Sequence, residues 1–133
     1  MRFSRYLALA LGVFLPVAET VRRWSTWRED PPALFDDYIA GALLLYGAWR
    51  TGRDAQQGRP FLAAAWGFLC GLAYAAFFGQ LWRLQHGDNT DPSGLPFVWV
   101  TAAKGLGFAL AILALVLTLW GGEHAGVVKR VKP

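Results

Sequence analysis

Four long apolar runs dominate the chain. They cover about residues 6–23, 34–50, 60–83 and 95–120, and each is bounded by charge, proline or glycine. A bilayer core of ~30 Å takes about 20 mainly apolar residues in a helix. Within lipid the backbone has no water partner, so a spanning run must be helical. The third run is the cleanest and the fourth the longest. The first two are shorter and carry acids near one end: Glu19 in the first, Asp36 and Asp37 in the second. Pro31-Pro32, Pro60 and Pro96 stand at the expected helix starts, where a missing N–H costs nothing, and Gly121-Gly122 stands at the last helix end. The pattern predicts one all-α domain over residues 1–133, a polytopic membrane protein folded as a four-transmembrane-helix bundle.

Composition agrees. Apolar types make up 55% of the chain and charged residues only 17%, against about 25% charged in soluble domains. A soluble globular domain and a disordered chain are both excluded. The basic start and the apolar stretch 6–17 invite a signal-peptide reading. A cut after Ala18 would place Pro16 at the −3 position, where a small residue is wanted, so the first run is expected to remain as a span.

The net charge of +4 has a topological source. Arg2, Arg5, Arg50, Arg53, Arg59, Lys129, Arg130 and Lys132 fall on one side of a four-span chain. Arg22, Arg23, Arg28 and Arg83 fall on the other. The positive-inside bias places both termini in the cytoplasm of a multi-pass protein of the cell (inner) membrane. The expected neighbour is then the bilayer with its anionic headgroups, and no nucleic acid. Trp24, Trp27, Tyr38, Trp82 and Trp99 form the predicted outer aromatic belt. Tyr6, Trp49 and Trp120 form the inner one, with Trp66 and Tyr46 slightly deeper.

Catalytic chemistry finds little support. Cys70 is the single cysteine, so an intrachain disulfide, a CxxC pair and a cysteine zinc site are excluded. His86 and His124 are the only histidines and lie outside the apolar runs, which argues against a haem or a multi-histidine metal centre. The nucleotide-binding, zincin and nucleophile-elbow motifs are absent. No cofactor, metal or enzymatic activity is expected. HGDNTDPSG at 86–94 could offer oxygen ligands, but it lacks the EF-hand pattern and reads as a turn. The segment 22–33 reads as amphipathic, 50–59 as a short basic connection, and VVKRVKP as a basic tail.

Two features stand out. The third run places Ala63, Gly67, Gly71, Ala75 and Gly79 at every fourth position. Such a stripe, ~24 Å long, lets another helix approach closely. That helix is another span of this chain or a span of a second copy. Ala103, Gly107 and Ala111 repeat the pattern more briefly. The second feature is Lys104, which lies ~12 Å into the fourth run. A charge at such depth normally faces the bundle and has a partner. Asp37 shares a helical face with Ala40, Gly41, Leu44 and Ala48, and is the first choice of partner, with Asp36 second. Glu19 shares a face with Ala8, Gly12, Leu15 and Pro16. Together with Gln80 and Thr101 these residues predict an outward-facing polar cluster. A purely structural role for it is also consistent with the sequence, because acids in a first helical turn complement the macrodipole.

Glu19 in YLALALGVFLPVAET faintly resembles the membrane-embedded glutamate of small multidrug-resistance transporters. Its place near the span end, with Lys104 and Asp36-Asp37, departs from that pattern, and no family follows. The sequence favours an accessory or assembly protein acting through helix–helix association, with itself or another membrane protein. The alternative is an oligomeric small-solute or ion transporter or channel using the polar cluster.

Overall fold

The computed structural model describes residues 1–25, 28, 31–88, 91 and 93–121, without the side chains of Pro31, Ala33 and Leu34. Among them the fold is all-helical: α1 (Arg2–Arg22), α2 (Pro31–Arg53), α3 (Ala55–Gln85) and α4 (Phe97–Trp120). Three of the four, α1, α3 and α4, are long and apolar enough to cross a membrane. Trp27, much of the expected amphipathic segment, His124 and the basic tail lie outside the described residues.

The helices pack in chain order, α1 on α2, α2 on α3 and α3 on α4, while α1 touches α4 more lightly. The α1–α2 seam comes from small residues. A Cβ on Gly41 would meet Pro16 Cγ at 2.6 Å and the Gly12 carbonyl oxygen at 2.7 Å. Pro16 has no N–H, so the Gly12 carbonyl lacks its helical partner, and this free oxygen is the one lying against Gly41. The inward faces expected for α1 and α2 are the ones that pack: Ala8, Gly12, Ala40, Gly41, Leu44 and Ala48 are buried.

Only Asp54 separates α2 from α3. The expected loop at 50–59 is replaced by helix because Asp54 is an efficient N-cap. Its carboxylate accepts from the Gln56 and Gln57 N–H groups at 2.9 and 3.1 Å. Pro60 therefore lies inside α3 and not at its start. Gly58 makes the sharp reversal possible, since its α-carbon rests on the α2 backbone.

Most buried residues gather toward the end of the bundle where Ser4, Ala48, Trp66 and Thr118 meet. There the Trp66 indole N–H donates to Ser4 Oγ at 2.8 Å, Ser4 Oγ lies against Thr118 Oγ1, and Thr118 Oγ1 donates to the Ala114 carbonyl at 2.7 Å. One direction of hydroxyl hydrogens satisfies the whole chain, from indole to Ser4 to Thr118 to carbonyl. Trp66 is fully buried, so it is a core residue and not part of an aromatic belt. Arg59 closes the same end by donating to the Thr118 and Leu119 carbonyls in the last turn of α4. Phe14, Val17, Phe68, Phe78, Leu106 and Leu113 stand exposed on the outside. An apolar outer surface of this extent is suited to lipid and not to water.

Candidate functional site

The opposite end of the bundle is polar, and α3 and α4 organise it. Phe97, Thr101 and Lys104 fall on one face of α4 because they are spaced by about one helical turn. Phe97 and Thr101 are buried, and so is Gln80, which faces them from α3. Thr101 Oγ1 donates back to the Phe97 carbonyl at 2.8 Å. The Lys104 ammonium donates to Gln80 Oε1. Gln80 Nε2 is buried and has no hydrogen-bond partner among the described residues. Arg83, one turn further along α3, lays its guanidinium 5.6 Å from the centre of the Phe97 ring and pairs with Asp88 at 2.7 Å.

The last turn of α1 supplies the charges beside this pair. Glu19 accepts from Arg22 at 3.3 Å and from Arg23. Arg22 also reaches Asp91 at 3.0 Å, tying α1 to the α3–α4 connection. Glu19, Arg22, Arg23 and Asp91 all lie close enough to Lys104 for their charges to act on it. Asp91 accepts from the Ser93 N–H at 2.9 Å and from its hydroxyl at 2.6 Å. Burial pushes the Asp91 carboxyl up, but the Ser93 bonds and the Arg22 guanidinium outweigh it and hold the pKa down at about 2. Gly87 and Gly94 take positive φ in the same connection, so the segment is built as turns.

The structure therefore gathers Glu19, Gln80, Thr101 and Lys104 at one end. Asp37 sits differently from its expected place. It is half-buried near Glu19, Asp36, Arg22 and Arg23, and makes no hydrogen bond or ion pair with the described residues. Lys104 takes the neutral Gln80 as its partner instead. Asp36 is exposed. Arg22, Arg23 and Asp91 were not foreseen as members. The signal for the first two was present, because arginines three and four residues after Glu19 share its helical face. The link to Asp91 depends on the connection's fold and has no local signature.

The small-residue stripe of α3 points elsewhere. The face of α3 that packs within the chain carries Gly58, Leu62, Ala65, Trp66 and Leu69. Gly67, Gly71, Ala75 and Gly79 are exposed and Ala63 is half-buried. A Cβ on Gly67, Gly71 or Gly79 would meet nothing within 4 Å. No other helix of the described chain covers these glycines. Ala103 and Gly107 of the shorter α4 pattern are exposed as well, while Ala111 is buried. Cys70, beside the stripe, is half-buried and free. No family model, curated protein or solved structure matches this chain.

Proposed function

We propose that the chain is a four-span membrane protein, with both termini cytoplasmic, that acts as an accessory or assembly subunit through helix–helix association. The observation that carries this reading is the open stripe on α3. Elsewhere in the molecule close glycines are in use: Gly12 on Gly41, Gly47 on Leu62, Gly58 on Thr51. A Cβ on any of the three glycines of the stripe would meet nothing among the described residues. In lipid, helices associate by van der Waals contact and interhelical hydrogen bonds, so close approach at small residues is the main driving interaction. A stripe of period four is complementary to itself about a two-fold axis, and a second copy's α3 is the simplest occupant.

Support for α2 as a span is its length and packing. Its 23 residues extend ~34 Å, and it lies against both α1 and α3. The experiment is the mass of the purified protein in mild detergent. The expected result is a dimer that Gly71→Leu converts to a folded monomer. A wild-type monomer that recovers no membrane partner counts against association, and a dimer indifferent to Gly71→Leu counts against the stripe as its contact.

The transport reading draws on a different observation, the half-buried Asp37 and Lys104 on the expected outward side. It requires a charge-dependent solute or proton flux in liposomes that Asp37→Asn removes.

A further inference from the structure

We propose that the Lys104–Gln80 pair, at the polar end of the bundle, binds a small monovalent anion. The pair offers donors that no acceptor among the described residues uses. Gln80 Oε1 is occupied by the Lys104 ammonium, which fixes the orientation of the amide. Its nitrogen, on the same carbon, is then buried with no partner, although Gln80 as a whole is only 4% exposed. The ammonium has three N–H donors and spends one on Gln80. A buried donor without an acceptor is costly, and a charged one more so. One anionic acceptor beside the ammonium and the amide would satisfy both.

The surrounding charges do not supply that acceptor. The carboxylates nearest Lys104 are already engaged, Glu19 by Arg22 and Arg23, and Asp91 by Arg22 and Ser93. Neither accepts from Lys104 among the contacts of the described residues. Arg22 and Arg23 balance the charges of Glu19 and Asp91 within range of it, so the Lys104 charge itself is left without a counter-charge. Thr101, the other polar side chain of this α4 face, donates its hydroxyl hydrogen to the Phe97 carbonyl, and its oxygen accepts from neither Lys104 nor Gln80 among the described residues. Asp36 and Asp37 stand on α2, which is not a principal neighbour of α4. The inference does not depend on what covers the α3 stripe.

The test uses the full chain in nonionic detergent, titrated separately with sodium chloride and sodium acetate at constant ionic strength set by sodium gluconate. Binding to the folded state alone raises the unfolding midpoint. The expected rise is about 3 °C or more at saturation, with either anion. Lys104→Met with Gln80→Leu removes both polar partners together and so leaves no orphan, and it is expected to abolish the shift. Lys104→Arg keeps a cationic donor and is expected to retain it. A second measurement needs no variant: of the four glutamine side-chain amides (Gln56, Gln57, Gln80 and Gln85), the buried one should move in a 1H–15N spectrum as the anion is added. An unmoved midpoint together with unmoved amide signals would overturn the proposal. So would an equal shift in the double variant, which would leave water as the partner of Gln80.

Discussion

Gly58→Ala and Gly71→Ala make the same chemical change on the same helix and should have opposite effects. At Gly58 the added methyl would lie 2.2 Å from the Thr51 backbone nitrogen and 2.4 Å from Arg50 C and Thr51 Cα. All three are main-chain atoms, so no rotamer change relieves the clash. Restoring ordinary contact requires α2 and α3 to part by about 1 Å, and overpacking of this kind costs about 1–3 kcal/mol, here at the upper end. Alanine gains at most about 1 kcal/mol over glycine in a helix. Gly58→Ala should therefore lose about 2 kcal/mol. Gly71→Ala meets nothing and should gain up to about 1 kcal/mol in the isolated chain. The spread is about 3 kcal/mol, roughly a hundredfold in the folded-to-unfolded ratio. The assay is unfolding by titration with a denaturing detergent, followed by tryptophan fluorescence and circular dichroism. A Gly58→Ala protein as stable as wild type would show that the α2–α3 reversal is not the tight contact described above.

The buried hydrogen-bond chain gives a second prediction. Ser4→Ala leaves the Trp66 indole N–H without its acceptor and should cost about 1–3 kcal/mol. Trp66→Phe added to Ser4→Ala should cost less than the two single losses summed, and strict additivity in the double-mutant cycle would argue against the bond. The ion pair of Asp91 sets a pH dependence. Its carboxyl is held at about 2 in the folded chain against an ordinary 3.8. The stability it contributes is complete above about pH 4 and is lost as the pH falls toward 2. Asp91→Asn should therefore be less stable at pH 6 and lose less stability than the wild type over that window, as read from unfolding midpoints; parallel acid profiles for both proteins would refute the assignment.

The helices were legible because long apolar runs admit one structure in lipid. The inward faces of α1 and α2 were legible too, since Ala8, Gly12, Ala40, Gly41 and Ala48 concentrate small residues on one side. On α3 the same reasoning could not choose a face within the chain. A helix apolar all round gives no contrast between protein and lipid, and Leu62, Trp66 and Leu69, which pack, look like residues that could equally face lipid. Gly71 lies nine residues beyond Leu62 and so about half a turn round the helix from the packed face. The position of Trp66 along its run places it with the belt residues, and its bond to Ser4, 62 residues away, has no local signature. Charge pairing points from Lys104 to acids, whereas the buried position on α3 carries an amide. Burial of a cation against a neutral carbonyl oxygen leaves no trace in charge patterning.

The single-residue junction at Asp54 bears on how the protein enters the membrane. On the four-span reading α2 is the weakest candidate for independent insertion, with Asp36 and Asp37 near one end and Arg50 and Arg53 near the other. It is joined without slack to α3, whose apolar length is ample, and Gly47 and Gly58 hold the two backbones together. The hairpin α2–α3 would then partition as one body, the strong helix carrying the weak one. During synthesis α2 would wait at the translocation machinery until α3 had emerged. Glycosylation-site reporters should find α2 inserted when α3 follows it and excluded when the chain stops before Asp54.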